Sequence, residues 1–94
     1  MNHNVLSVSD AIALGDLLDA IGSKKKITWL PCDGFTPVTG ELRSLVRGPE
    51  NYAMLPYGTD VRDAWVWITA NGFERTESVR RLINLAQEGG CIYE

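Results

Sequence analysis

Residues 64 to 69 read Ala-Trp-Val-Trp-Ile-Thr, and this run sets the strongest limit on the fold of the chain. Aromatic and β-branched residues favour strands, so the run predicts a β-strand. Its apolar side chains fall on both faces, which predicts cover on both sides, from the curvature of the sheet and from a helix. Because 94 residues cannot form two units that each bury a core, we expect residues 1–94 to form a single domain.

Apolar residues at helical spacing predict a helix on each side of the sheet-forming sequence. The first helix spans about residues 10 to 21 and ends at Gly22. Ser7 and Asp10 are spaced as a capping box at its start, and Ser9 is the alternative cap. The second helix has Thr76 as its predicted N-cap and ends before two glycines, residues 89 and 90.

The remaining apolar runs predict strands. These are residues 26–30, residues 38–43 followed by a bulge or sharp bend at residues 45–46, residues 51–55, and a short final strand at 91–93. The predicted order is therefore α-β-β-β-β-α-β. We expect an α+β domain with an N-terminal helix, a bent antiparallel sheet of four to five strands or a small barrel, and a C-terminal helix.

The first two strands also carry a family resemblance. Ile27-Thr28-Trp29-Leu30, the Asp33-Gly34 turn and Gly40-Glu41-Leu42-Arg43-Ser44-Leu45 resemble the first motif of the Sm-like family of SH3-like small barrels. Residues 63 to 68 take the place of its second motif, so the resemblance covers residues 9–70. It implies a ring-shaped oligomer that binds uridine-rich or adenine-rich RNA. No position matches the family's RNA-binding signature, so the resemblance assigns no RNA-contacting residue.

Charge disfavours several classes of partner. Twelve acidic and nine basic residues give a net charge of −3, and the isoelectric point is near 5.0. Such a chain lacks the positive field that drives binding to duplex DNA. The apolar runs are too short for a membrane span, and residues 1 to 4 lack the pattern of a signal peptide. We expect a cytoplasmic protein.

The cysteines and the histidine give no metal or redox motif. A reducing cytosol favours two free, buried thiols at Cys32 and Cys91 over a disulfide between them. Neither cysteine belongs to a C-x-x-C motif, and the one histidine, His3, lies near the N-terminus. A zinc site therefore lacks a set of ligands, and we expect no metal or other cofactor.

Catalytic patterns are equally absent from the sequence. Nucleophilic catalysis commonly recruits a histidine, and His3 is poorly placed for it. Asp60, Asp63 and Glu74 flank the Trp-rich strand and are the remaining candidates for acid-base chemistry. Acidic residues beside a strand are usually solvated turn formers, so we do not expect an enzyme.

Aromatic and arginine residues interleave through the middle of the chain. The segment contains Trp29, Arg43, Arg47, Tyr52, Tyr57, Arg62, Trp65 and Trp67. One interpretation is a stacking surface for a nucleotide or single-stranded RNA. The other places the tryptophans in the core, because tryptophan is highly buried on average. The tyrosines, Arg43 and Arg47 are then the better surface candidates.

Binding to another protein is the function that the sequence favours. Tyrosine, methionine and arginine are enriched at interface centres, and adjacent arginines on the second helix suit an acidic partner. The candidate surface residues, for a protein or a ligand, are Arg43, Arg47, Tyr52, Tyr57, Arg62, Arg80 and Arg81. Exposed edge strands also permit a homo-oligomer. A small acidic domain without a catalytic signature is typical of phage or mobile-element accessory proteins, including inhibitors of host defence factors.

Overall fold

The computed structural model describes residues 6–94 as two helices and one five-stranded sheet. The elements are α1 (Val8–Gly22), β1 (Lys26–Trp29), β2 (Val38–Val46), a short 3-10 helix (Val61–Asp63), β3 (Trp65–Ala70), β4 (Phe73–Ser78), α2 (Val79–Gln87) and β5 (Cys91–Tyr93). The predicted α+β class is confirmed. Neither described helix has the length and apolar character that a membrane crossing requires.

The sheet is open. Its strand order is β4-β3-β2-β1-β5, and every pair of neighbours is antiparallel. Of the two predicted alternatives, the open antiparallel sheet is therefore the structure, and the closed Sm-like or SH3-like barrel is not. A barrel fills its interior from its own strands, whereas here the apolar faces of α1 and α2 cover one side of the sheet.

The core lies between that side of the sheet and the two helices. Its most buried side chains, each at most 1% exposed, include Leu17, Ile27, Trp29, Val66, Ile68, Val79 and Leu82. Val66, Ile68 and Ala70 of β3 are buried, and they alternate with Trp65, Trp67 and Thr69, which are only half-buried. The helices therefore cover one face of β3. We call the opposite face, which carries Trp67, the outer face.

Helix α1 begins at the predicted cap, Ser7, but it does not end in the predicted way at Gly22. The Ser7 hydroxyl accepts a hydrogen bond from the Asp10 backbone N–H at 3.1 Å, so the helix begins at Val8, two residues before the predicted start. Gly22 is the last helical residue, and Lys24 has a φ of +55°. Lys24 thus takes the left-handed conformation that was expected of glycine.

The fourth strand is the element that the sequence pattern missed. Residues 73 to 78 read Phe-Glu-Arg-Thr-Glu-Ser, which lacks the apolar alternation of a half-buried strand. They pair with β3 across the Asn71-Gly72 turn, where both residues have positive φ. The predicted cap, Thr76, lies inside this strand. Ser78 caps α2 instead, accepting from the Arg81 backbone N–H at 3.3 Å.

The predicted strand at residues 51–55 is a loop. Gly48 and Asn51 form an isolated bridge, and the Asn51 side chain accepts from the Ala53 backbone N–H at 3.1 Å. These local bonds compete with a strand ladder, as asparagine commonly does in turns. The order of helices and strands is nevertheless the predicted one, because the chain has no strand at residues 51–55 but gains β4 before α2.

Candidate functional site

A cluster of polar and aromatic side chains lies on the outer face of β2, β3 and β4. The Trp67 indole N–H donates to the Glu74 carboxylate. The Thr69 hydroxyl donates to the same carboxylate at 3.1 Å and accepts from Arg43 Nε at 2.9 Å. Tyr52 packs on Trp67 with ring centroids 5.2 Å apart and planes tilted by 60°. We call Arg43, Tyr52, Trp67, Thr69 and Glu74 the outer-face cluster.

Strand register explains how these side chains meet. Thr69 lies opposite Glu74, and Trp67 lies opposite Ser44, where the register of β2 and β3 shifts after Leu42. The second strand therefore contains a bulge, but it lies between Leu42 and Ser44, ahead of the predicted position at residues 45–46. The extra residue in β2 is Arg43, and a bulge re-aims side chains. The sequence therefore builds the cluster through the bulge and the tight turn between β3 and β4.

The loop of residues 47–59 borders the cluster and exposes large apolar side chains. Tyr57 is fully exposed, Met54 is 88% exposed and Tyr52 is 41% exposed. The loop is tied to the sheet edge, because the Thr76 hydroxyl donates to the Pro49 carbonyl at 2.9 Å. We call this segment the 47–59 loop.

The structure divides the predicted surface residues into two groups. Arg43 and Tyr52 belong to the outer-face cluster, and Arg47 and Tyr57 lie exposed in the 47–59 loop. Arg62, Arg80 and Arg81 lie elsewhere and are engaged by carboxylates of the domain itself.

Each arginine of the second group has its own acceptor. The Arg62 side chain is only 13% exposed and is held by Asp60. Arg80 pairs with Asp63 at 2.8 Å. Arg81 pairs with Glu77 at 3.2 Å and also donates to the Leu30 carbonyl at 2.9 Å. Structural ion pairs reduce the capacity of these residues to bind a partner, most of all for the largely covered Arg62.

The three candidate acid-base residues each make their own contacts. Asp60 bonds to Arg62, Asp63 to Arg80, and Glu74 to Trp67 and Thr69. Hydrogen bonds from the Arg62 side chain and backbone lower the pKa of Asp60 to about 2. General catalysis is most efficient when the pKa lies near the working pH. Asp60 is therefore suited to anchoring Arg62.

Residues 6–94 contain no group of three or more His, Cys, Asp and Glu side chains that could hold a metal ion. His3, which the sequence analysis weighed as a ligand and as a catalytic base, lies outside the described residues.

The two cysteines differ in their surroundings. Both are free, and Cys32 is exposed in the loop between β1 and β2, which corrects the expectation that both are buried. Cys91 lies half-buried in β5, and burial raises the pKa of its thiol. The loop position of Cys32 leaves its thiol outside the core, although its neighbour Pro31 is buried.

Ellman's reagent at pH 8 should therefore modify Cys32 at least about tenfold faster than Cys91, because the thiolate is the reactive species and access to Cys91 is restricted. Absorbance at 412 nm should show two phases, and the fast phase should disappear in Cys32→Ser. Equal rates for the two thiols in the native chain would contradict the placement of Cys91.

Sequence reasoning missed the roles of Trp67 and Glu74 in the outer-face cluster. The sequence left Trp67 either in a stacking surface or in the core, and it offered Glu74 only as a carboxylate for catalysis. The available signal was the alternation of Trp65 and Trp67 with Val66 and Ile68. If the aliphatic pair faces the helices, the tryptophans must face away from them.

Searches against protein-family models, curated proteins and solved structures found no match to this chain.

Proposed function

We propose that the chain is a non-enzymatic protein-binding module that acts through the 47–59 loop and the adjacent outer-face cluster. The observation that carries the proposal is the exposure of Tyr52, Met54 and Tyr57 within one short loop. Tyrosine and methionine are enriched at the centres of protein interfaces, where they supply contact area. Arg47 in the same loop is exposed and forms no ion pair within the described residues.

Anchoring of the loop supports the same function. The Arg47 backbone N–H donates to the Ala53 carbonyl at 3.3 Å, and the Thr76 hydroxyl holds the Pro49 carbonyl. Tyr52 is fixed further by its contact with Trp67. A loop held at several points loses less conformational entropy on binding than a free one, and this favours affinity.

Nucleotide or single-stranded RNA binding is the second candidate, and the outer face supports it less well. The Trp67 ring is already in contact with Tyr52 at a 60° tilt, so the pair forms no parallel slot for a base. Glu41 lies 3.8 Å from Arg43, and Glu74 lies beside Thr69. Carboxylates on the same face as Arg43 disfavour a phosphate backbone, which is recognised by positive grooves.

The test of the proposed function is capture of a partner with matched variants. Tyr52→Ala, Met54→Ala and Tyr57→Ala combined should weaken capture of a specific protein by at least about 30-fold, the effect of losing one interface hot spot. Ile12→Ala is the control, because Ile12 is an exposed apolar residue on α1. Equal capture by the triple variant and the native chain, measured by quantitative mass spectrometry and then by dissociation constants, would contradict the proposal.

Tryptophan fluorescence separates the second candidate from the first. Addition of oligo(U) or oligo(A) should leave the emission of the native chain unchanged under this proposal. Saturable quenching that Trp67→Phe removes would instead favour the RNA-binding alternative. Ring formation and inhibition of a host defence factor stay predictions from the sequence.

A further inference from the structure

The outward edge of β4 is available for strand pairing. β4 is the last strand on its side of the sheet and pairs only with β3. Ala70 and Phe73 flank the two-residue turn of positive-φ residues between the strands, and they form the first pair of the hairpin. In such a hairpin, alternate residues point their backbone groups at the partner strand. Glu74 and Thr76 therefore direct theirs outward, to the free edge.

A cavity of about 520 Å³ follows this edge. Five consecutive residues of β4, from Phe73 to Glu77, contribute to its lining. Pro49, Glu50 and Tyr52 of the 47–59 loop line it on the outer side. Trp29 and the β1–β2 loop residues Cys32 and Asp33 line it on the side of the helices. The side chains of a strand paired with β4 would point alternately to the two faces of the sheet. Those on each face would meet one wall of the cavity.

The lining is acidic. It contains the carboxylates of Asp33, Glu50, Glu74 and Glu77 and one guanidinium, that of Arg75. Arg75 pairs with Asp33 at 3.5 Å, and Arg81 pairs with Glu77. Within residues 6–94, Glu50 and Glu74 form no ion pair, and both line the outer side. The uncompensated negative charge thus lies on one wall of the cavity.

We propose that β4 binds an extended basic segment of a partner protein, which adds to the sheet as a sixth strand. Main-chain hydrogen bonds to Glu74 and Thr76 give the segment its direction and affinity, as in other cases of strand addition. Lysine or arginine side chains at alternate positions face Glu50 and Glu74. The intervening side chains lie on the wall that carries Phe73, which is 71% exposed. On this wall Asp33 is paired with Arg75 and Glu77 with Arg81, so no unpaired charge remains there and apolar side chains suit it. This inference rests on the proposed function, and it names the chemistry of the partner.

A second copy of the chain is a less suitable occupant. If two β4 strands paired antiparallel about Arg75, the two Arg75 side chains would lie directly opposite each other, which is destabilising. If they paired about Thr76, Arg75 would lie opposite the Glu77 of the second copy. Glu77 is buried and already accepts from Trp29 and Arg81, so that contact adds little.

The test uses synthetic peptides with the full chain. The probe is acetyl-Lys-Val-Lys-Val-Lys-Val-Lys-amide, and the controls are the same peptide with glutamate for lysine and one with a central proline. The lysine peptide should bind saturably, shift the backbone amide resonances of Glu74 and Thr76, and slow their hydrogen exchange at least tenfold. Neither control peptide should do so, because one inverts the charge and the other removes a ladder hydrogen bond.

Charge variants of the chain complete the test. Glu50→Gln and Glu74→Gln together should weaken binding of the lysine peptide about tenfold, whereas Glu88→Gln, an exposed residue after α2, should leave it unchanged. Absence of binding, equal binding of the proline peptide, resonance shifts away from β4, or a dimer through β4 in light scattering would each overturn the inference. If loop variants still abolish capture of a protein partner, the proposed function stands and only this inference fails.

Discussion

Trp29→Phe should lower the free energy of unfolding by about 3 kcal/mol. The Trp29 indole N–H donates to Glu77 Oε2 at 2.7 Å, and Glu77 is only 4% exposed. Phenylalanine removes this donor, so the buried carboxylate keeps Arg81 Nη1 at 3.2 Å as its remaining side-chain donor. Leaving a buried acceptor short of a partner costs about 1–3 kcal/mol, and more when the acceptor is charged.

Trp67→Phe is the matched control for this prediction. It also removes an indole hydrogen bond to a glutamate, but Glu74 is exposed and water can replace the lost donor. The expected loss is below about 1 kcal/mol. Urea unfolding followed by far-UV circular dichroism measures both variants. Equal losses would mean that the contact between Trp29 and Glu77 is not a buried one.

Gly40→Ala should destabilise the domain by about 2–3 kcal/mol. A Cβ at Gly40 would lie 2.7 Å from Ile68 Cγ2 and 2.9 Å from the Thr69 carbonyl oxygen. Ile68 is fully buried and the carbonyl belongs to the backbone of β3, so neither can move away freely. Overpacking of this kind typically costs about 1–3 kcal/mol. The absence of a side chain at Gly40 therefore permits the close approach of β2 and β3 at this point of the sheet.

Gly15→Ala, the same substitution at another glycine, should instead stabilise the domain. Gly15 is exposed on α1, and apart from its chain neighbours and the adjacent helix backbone a Cβ there would meet no atom within 4 Å. Alanine in a helix interior is more stable than glycine by about 0.5–1 kcal/mol. Thermal unfolding should therefore show a higher Tm for Gly15→Ala and a lower one for Gly40→Ala. A neutral Gly40→Ala would contradict the described spacing of the two strands.

The sequence predicted those elements whose local signals agree with their tertiary setting. Helix α1 has a cap at Ser7 and apolar residues at helical spacing, and both features survive in the structure. Strand β3 was evident from its aromatic and β-branched residues. β4 was missed because an edge strand needs no apolar alternation when its outer side chains meet solvent. In addition, Thr76 followed by Glu77 is a pattern typical of a helix start, which led to the wrong cap.

The candidate site could be predicted only in part. Tyr52 and Arg43 were chosen as surface residues, and both belong to the outer-face cluster. Arg80 was chosen on the same grounds, but its partner Asp63 lies 17 residues away, and no local pattern reveals that pairing. The cavity beside β4 could not be predicted, because its walls come from separate loops that only the folded sheet brings together.

Amide hydrogen exchange of the chain, alone and with its captured partner, decides whether the 47–59 loop and the outer-face cluster form the binding surface. The proposed function predicts slower exchange in residues 47–59 on binding, and strand addition predicts the same at Glu74 and Thr76. Exchange in the exposed part of α1 should stay unchanged. Protection confined to α1 and α2, with the loop and β4 unaffected, would contradict the proposed function.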